Sequence, residues 1–189
     1  MRTRNSKVFG MLGALLLTTG IALAGNAPQA VLPVGPDQNI AKEVRHEIVM
    51  YPHYTIFDDI KFRVNQGSVE LEGAVTQPYK KSDLGKIVQK LPGVTSVTND
   101  LKVLPLSNMD DRLRLQLARA IYRDPSLSTL GFQALPPIHI IVDNGHVTLE
   151  GVVNNTLQKQ VAGMRAATTG LSFGPVTNNL AVENPPKKG

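Results

Sequence analysis

Two pairs of adjacent carboxylates are the residues in this chain best suited to acid–base or metal chemistry. They are Asp58-Asp59 and Asp110-Asp111, and paired carboxylates can act as general acids, general bases or metal ligands. Adjacent side chains point in different directions, however, and Asp110-Asp111 precede a segment with helical periodicity, where a helix start favours negative charge. Helix capping is therefore the favoured interpretation, and we expect no catalytic residue in either pair.

The other chemistry-bearing residues do not form a recognisable site. No two of the four histidines have metal-ligand spacing on one predicted element; they are His46, His53, His139 and His146. The chain has no cysteine, which excludes disulfides, thiolate catalysis and cysteine-based metal sites. Its recurring glycines lie around and after a strand, and no Lys-Ser/Thr follows them as in a phosphate-binding loop. We therefore expect neither an enzyme nor a bound metal or other cofactor.

The elements that must position any site occur twice. Residues 67–73 (GSVELEG) recur 78 positions later as residues 145–151 (GHVTLEG), and residues 97–103 recur 79 positions later as residues 176–182. Two segments in the same order at nearly the same offset indicate an internal repeat. We therefore expect two copies of one small module, each near the lower size limit for an independent core.

The hydrophobic pattern predicts the order α-β-β-α-β in each module. The final strand–helix–strand unit predicts a parallel crossover, so each sheet is three-stranded and mixed, with two helices on one face. The fold class is therefore α+β. We expect His139 on the open sheet face of module two. In module one that face is charged, with Lys61, Arg63, Glu70, Glu72 and Lys102.

The N-terminal residues are typical of an export signal. A basic start, residues 2–7, precedes the uncharged stretch 8–23, and small residues predict cleavage after Ala24 or, as the weaker option, after Ala27. The apolar stretch is about 16 residues long, shorter than the roughly 20 that span a bilayer. We therefore expect residues 1–24 to be a cleaved signal peptide.

Two further segments are expected outside the modules. Residues 25–38 are rich in proline and glycine and predict a flexible linker, and residues 185–189 predict a loose tail. Because there is no cysteine, the chain has no residue for a lipoprotein anchor. Three of the 20 lysines and arginines belong to the expected signal peptide, which leaves 17 basic residues and 15 acidic residues. So small an excess does not predict a nucleic-acid partner.

The duplicated pattern resembles the BON domain, a small bacterial module often found in pairs in exported proteins. The signatures that match are Gly67-x-Val69-x-Leu71-x-Gly73, Gly145-x-Val147-x-Leu149-x-Gly151, Asn99-x-Leu101-x-Val103 and Asn178-x-Leu180-x-Val182. The resemblance assigns residues 39–104 to BON domain 1 and residues 109–184 to BON domain 2. Module two departs from the pattern at residues 169–174, which replace the usual Pro-Gly-Val turn.

The resemblance also implies a location and a type of ligand, which composition and periodicity do not show. Similarity to the osmotically induced and outer-membrane lipid-binding tandem BON proteins implies a periplasmic protein of the cell envelope with a role in stress response. It implies binding to phospholipid surfaces or envelope partners, and no catalysis. The oligomeric state, the lipid and the partner stay open.

The first helix of module two carries the most informative surface pattern. One helical stripe, nearly opposite the core positions, contains Leu115 and Tyr122. Three arginines cluster beside this stripe, and they are Arg112, Arg119 and Arg123. An apolar strip flanked by arginine is typical of a helix at a lipid surface, where guanidinium groups pair with phosphate. In the alternative interpretation, Leu115 and Tyr122 pack against module one and the arginines are merely solvated.

Two other surfaces are secondary candidates. The second helix of module one carries a basic set made of Lys80, Lys81, Lys86 and Lys90, which is also compatible with an ordinary solvated face. In module two, the apolar loop 127–135 and the sheet face with Ile141 and Thr148 predict a protein-interaction adaptor as the alternative function. An exposed Ile141 is unusual because module one has Arg63 at the equivalent position.

Overall fold

The structure of the protein is a computed structural model, and it describes residues 35–169 and 174–183. The expected signal peptide, most of the expected linker 25–38 and the expected tail 185–189 lie outside the described residues, as do residues 170–173. The two modules belong to one compact unit of the chain.

Module one contains two helices and a small sheet. Its elements in chain order are α1 (Pro36–Met50), β1 (Asp59–Asn65), β2 (Ser68–Val75), α2 (Pro78–Gln89), β3 (Ser96–Asn99) and β4 (Lys102–Val103). Helix α1 forms because Ile40, Val44 and Ile48 recur at helical spacing and bury one face. It begins at Pro36, so residues 36–38, expected in the linker, belong to the helix. Proline is favoured in the first turn, where its missing N–H costs no helical hydrogen bond.

Module two repeats this order with one addition. Its elements are α3 (Asn108–Tyr122), a 3-10 helix (Ser128–Phe132), β5 (Ile138–Asp143), β6 (His146–Val153), α4 (Thr156–Ala167), β7 (Thr177–Asn178) and β8 (Ala181–Val182). The added 3-10 helix lies in the longer loop before the first strand. Leu127 and Leu130 of this loop are buried in the core of module two, so they cover the core as apolar loop residues must.

Both sheets are mixed, as predicted. Strands β1 and β2 pair antiparallel, and β3 and β4 both pair parallel to β2. In module two, β5 pairs antiparallel with β6, and β7 and β8 pair parallel to β6. Apolar side chains of each sheet and its two helices form a separate core for each module. The predicted α+β class with tandem α/β modules is therefore confirmed.

The third strand of each module differs from the prediction because it is interrupted in the middle. In module one, the side chain of Asn99 hydrogen-bonds to the backbone. Its Nδ2 donates to the Lys81 carbonyl at 2.8 Å, and its Oδ1 accepts the Leu101 amide at 3.3 Å. Asn178 makes the equivalent bonds in module two. A side chain that bonds to its own backbone two residues on competes with the strand ladder. The asparagine of the repeated Asn-x-Leu-x-Val signature therefore accounts for the interruption of the third strand in both modules.

Candidate functional site on helix α3 and at the contact between the modules

The acidic pair at the start of α3 has a structural role other than capping. Asp110 accepts the amides of Asn144 and Gly145 in the β5–β6 turn, both at 2.9 Å. Ser107 caps the helix, since its side-chain oxygen accepts the Asp110 amide at 3.2 Å. In module one, Asp37 binds the turn amides in the same way. Asp110 and Asp111 therefore lie in the first turn of the helix, as predicted, but the capping side chain is that of Ser107, and Asp110 ties the helix to the hairpin turn.

The acidic pair of module one contains a buried carboxylate that is ion-paired with one of the candidate surface lysines. Asp58 is fully buried, and Lys80, only 4% exposed, donates to its Oδ2 at 2.6 Å. Asp58 also accepts the Thr55 and Thr76 amides at 3.0 and 2.8 Å. The prediction that Lys80 contributes to a binding surface is wrong, because a buried carboxylate requires a charged or hydrogen-bonded partner. Because the Asp58 carboxylate is bound to Lys80, Thr55 and Thr76, it does not cap a helix.

Helix α3 presents an exposed cationic face. Arg112, Arg119 and Arg123 are exposed, and no acidic partner is found for them in the described part of the chain. Leu115, 49% exposed, lies on one side of them, and Met109, 58% exposed, lies on the other. Met109 is missing from the predicted set, although at 100° per residue it falls beside Gln116 on the same face. The structure therefore brings four of the five predicted residues together.

Tyr122 is the fifth predicted residue, and it does not belong to this surface. Its hydroxyl donates to the Ile138 carbonyl at 2.8 Å and accepts the Ile138 amide at 3.2 Å. The ring packs against the core of module two, and burial raises its pKa. The backbone of Ile138, the first residue of β5, therefore holds the Tyr122 hydroxyl through two hydrogen bonds. The placement of Tyr122 in the binding stripe is therefore wrong.

Beside this face, α3 borders a cleft between the modules of about 420 Å³. Module two contributes Asp111, Arg114 and Leu115, and module one contributes residues that include His53 and Tyr79. Arg114 is buried, donates to Asp111 and to the Val142 carbonyl, each at 2.6 Å, and keeps an unpartnered Nε among the described residues. Sequence analysis missed Arg114. A charged residue beside the core positions of a helix was the only available signal.

The modules meet where the loop before β1 contacts strand β5. His139 Nδ1 lies 2.6 Å from the Asp58 carbonyl and therefore carries the hydrogen, and its ring stacks on Tyr54 at 5.5 Å. The Ile140 amide donates to the Ile56 carbonyl at 2.7 Å. Ile56 and Phe57 also pack against the core of module two. The expectation of an open face at His139 is wrong because module one covers it.

Charged residues extend this contact. Lys61 donates to Glu150 at 2.9 Å and lies 3.1 Å from Asp59, and Lys102 pairs with Asp143. Partial burial lowers the pKa of Lys61, but its hydrogen bonds to Glu150 and Asp59 outweigh this and raise it overall. The sheet face of module two is thus partly occupied by module one.

The remaining predicted surface residues are scattered. Lys86 and Lys90 are exposed beside a groove that also includes Val97, whereas Lys81 and Ile141 are partly buried. In the apolar loop, Phe132 is 88% exposed. These residues do not converge on one site.

Within residues 35–169 and 174–183, no cluster of histidine and carboxylate ligands could hold a metal ion. The same residues contain no helix long and apolar enough to cross a membrane.

The family is shown by comparison with known domains. The BON domain matches residues 36–105 and 110–184, which confirms the tandem arrangement, and the chain belongs to the BON domain family. Domains of this family are generally non-catalytic binding domains associated with phospholipids or the cell envelope. Proteins that contain them are typically periplasmic or envelope-associated.

Solved structures similar to the chain include two of CdsD, described as a structural protein of the type III secretion system of Chlamydia trachomatis. One shares 19% identity over 77% of this chain and 61% of that chain, with a TM-score of 0.30. The second, its C-terminal domain, shares 15% identity over 77% of this chain and 98% of that chain, with a TM-score of 0.28. This chain thus spans less than two thirds of the first of them. No curated protein matches the chain.

Proposed function

We propose that this chain is a non-catalytic binding protein of the cell envelope that associates with anionic phospholipid surfaces through helix α3. The observation that carries the proposal is the exposed face with Arg112, Arg119 and Arg123 between Leu115 and Met109. Guanidinium groups pair with lipid phosphates, and flanking apolar side chains enter the headgroup region.

The equivalent face of α1 supports the choice of α3. Asp37 and Asp110 have the same role in their modules. A residue of α1 therefore corresponds to the residue of α3 that lies 73 positions later in the sequence. This offset places Lys42 and His46 of α1 at the positions of Leu115 and Arg119, with Glu43 beside them. The mixed charge of α1 does not form a cationic surface. Only one of the two homologous helices therefore has the required pattern.

The expected affinity is modest and depends on salt. Each arginine near an anionic surface contributes about 1 kcal/mol, and the attraction falls off within a Debye length. Inserting the exposed half of one leucine adds on the order of 1 kcal/mol. Three arginines and two apolar side chains therefore give reversible attachment, which high salt weakens.

A vesicle experiment tests this surface. The mature chain is sedimented with phosphatidylcholine vesicles that contain or lack phosphatidylglycerol, and the variant Arg119→Glu plus Arg123→Glu is compared with Lys86→Glu plus Lys90→Glu. The two variants change the net charge equally. We expect only the α3 variant to lose binding to the anionic vesicles. Equal loss in both variants, or full binding by the α3 variant, would remove α3 as the contact.

A periplasmic protein-interaction adaptor is the second candidate, and the exposed Phe132 favours it. The contact of module one with His139 leaves less of the sheet face for a partner. Pull-down from envelope extract with wild type and Ile141→Lys tests the sheet-face version. Unchanged recovery of a partner by the variant contradicts the use of that face.

We also propose that the chain is exported and that its signal peptide is cleaved after Ala24, as the sequence predicts. The typical location of BON-domain proteins supports this proposal. Mass spectrometry of the protein from a periplasmic fraction measures the new N-terminus. Recovery of the uncleaved chain from the cytoplasm would contradict the proposal.

A further inference from the structure

Helix α4 carries exposed apolar side chains that the proposed contact through α3 does not use. Leu157 and Met164 are each 60% exposed. They lie seven positions apart in the sequence, close to two helical turns, so both are on the same side of the helix. The buried residues of α4, which include Ala162 and Ala166, lie on the other side. Apolar side chains in water gain free energy when they are buried, so this side of α4 favours contact with an apolar partner.

The outer sides of α3 and α4 face the same way. Both helices bury their inner sides in one core, α3 over β5 and α4 over β6, so they form one layer on one face of the sheet. At 100° per residue, Leu115 and Arg119 lie nearly opposite the buried Leu117. Met164 lies nearly opposite the buried Ala162 in the same way. The cationic side of α3 and the apolar side of α4 are therefore parts of one outer surface.

The charge of α4 suits contact with an anionic surface. Its 12 residues include Lys159 and Arg165 but no Asp or Glu. Arg165 donates to Asp124 at 2.7 Å, and its side chain stays 53% exposed. Because Asp124 directly follows Arg123 at the end of α3, this ion pair holds α4 against the cationic end of α3. An anionic surface that contacts α3 therefore meets no carboxylate on α4.

The equivalent helix of module one lacks this pattern. A glycine in each helix makes room for the asparagine of the third strand, which aligns α2 with α4 at an offset of 78 positions. This alignment places Tyr79 and Lys86 of α2 at the positions of Leu157 and Met164. Lys86 brings a charge to the position at which α4 has an apolar thioether. Of these two helices, α4 is therefore the one with a pair of exposed aliphatic side chains on its outer side.

We propose that the outer side of α4 is the second part of the lipid contact, with Leu157 and Met164 inserted among the headgroups of an anionic bilayer. The inference rests on the proposed function of α3, whose arginines bind the lipid phosphates. A flat lipid surface that reaches Arg119 also reaches α4, because both helices lie in one layer. Module two then lies with its helical layer on the membrane and its sheet on the side away from it.

Single tryptophans test the position of α4, because the chain has no native tryptophan. The variants Leu157→Trp and Met164→Trp are mixed with vesicles of phosphatidylcholine and phosphatidylglycerol, with and without a brominated phosphatidylcholine that quenches tryptophan fluorescence. Val49→Trp is the matched control, since Val49 is 53% exposed on α1. We expect a blue shift and quenching for both α4 variants and neither change for the control. Unquenched α4 variants in vesicle-bound protein, or equal quenching at all three positions, overturn the proposal.

Serine substitutions test whether the apolar groups of α4 contribute to the affinity. We expect Leu157→Ser plus Met164→Ser to weaken binding to the anionic vesicles on the order of tenfold, since the apolar surface that each side chain buries in the bilayer is lost. Val49→Ser plus Met50→Ser removes two exposed apolar side chains of α1 and should bind as wild type. Wild-type affinity of the α4 variant overturns the proposal.

The variant Arg119→Glu plus Arg123→Glu separates this inference from the proposed function. If this variant loses binding while the α4 serine variant keeps wild-type affinity, the lipid contact through α3 stands and the contact through α4 is rejected. If the wild-type chain does not bind the anionic vesicles, both are rejected.

Discussion

At the scale of single residues, a glycine and an asparagine act together in each module. A Cβ at Gly85 would lie 2.8 Å from Asn99 Nδ2, and a Cβ at Gly163 would lie 2.7 Å from Asn178 Nδ2. Each glycine therefore leaves the space in which the asparagine amide reaches a helix carbonyl. This packing explains why a helix interior tolerates glycine despite its poor helix propensity.

Gly163→Ala tests this packing with two opposing effects. Alanine improves helix propensity by about 1 kcal/mol, but the clash displaces Asn178, which costs about 1–3 kcal/mol of packing and hydrogen bonding. We expect a net loss of about 1 kcal/mol in the free energy of unfolding, measured by urea denaturation. Met164→Ala, on the exposed side of the same helix, serves as the control. A stabilised Gly163→Ala variant would show that Asn178 adapts freely.

Asp124 makes stability depend on pH. The Ser126 amide and the Arg165 guanidinium hold the pKa of Asp124 below its ordinary value of 3.8. The lowered pKa means that this contribution to stability is present above about pH 4 and is lost as the pH falls through the folded-state pKa. We expect Asp124→Asn to be less stable than wild type at neutral pH and the gap to close in acid. Urea midpoints measured across this pH range check the expectation, and a constant gap would contradict it.

At the scale of elements, helix α3 is used on three sides. Leu117 and its neighbours on the first side enter the core, and Tyr122 on the second binds the start of β5. The third side, with Leu115 and Arg119, faces solvent. The two sides of α3 that pack against module two fix the rotation of the helix about its axis. The exposed side with Leu115 and Arg119 is therefore held in a fixed orientation.

Tyr122→Phe and Leu115→Ser separate the structural side of α3 from its exposed side. Tyr122→Phe removes both hydrogen bonds to Ile138, so we expect a loss of about 1–2 kcal/mol in unfolding free energy and unchanged vesicle binding. Leu115→Ser changes stability by less than about 0.5 kcal/mol, since the residue is half exposed, but weakens vesicle binding. Urea denaturation and sedimentation with anionic vesicles measure the two effects. The reverse pattern would place the contact elsewhere.

At the scale of the whole molecule, the two modules keep separate cores and share one contact. Ile56 and Phe57 of module one reach the core of module two, and the bond from His139 to the Asp58 carbonyl closes the contact. We expect an interface of this kind to couple the unfolding of the two modules, because each is near the lower size limit for an independent core.

Removing the imidazole should uncouple the modules. We expect His139→Ala to split thermal unfolding into two transitions, or to broaden it, because the hydrogen bond and the stacking on Tyr54 are lost together. His46→Ala on the exposed side of α1 is the control and should leave one transition. Calorimetry of the mature chain measures both variants. A single sharp transition in His139→Ala would show that the remaining contacts suffice for coupling.

The sequence by itself determined the repeat, the α+β class and the order of elements in both modules. Periodic apolar residues and turn residues act over a few neighbouring positions, so they can be read without coordinates. The same local signals placed Arg112, Arg119 and Arg123 on one helix face, because helical geometry is fixed at 100° per residue. These residues are exposed on α3 in the structure.

Only the tertiary structure decided which polar residues are buried. Lys80 was predicted to lie on the surface, but its ammonium group is buried and bound to Asp58, 22 positions away. Tyr122 was predicted to lie on the exposed stripe, but its hydroxyl bonds to the backbone of Ile138, 16 positions away. His139 is covered by a loop of the other module, 81 positions away. Contacts at such separations depend on how elements pack in space, and the periodicity of a single element carries no information about them.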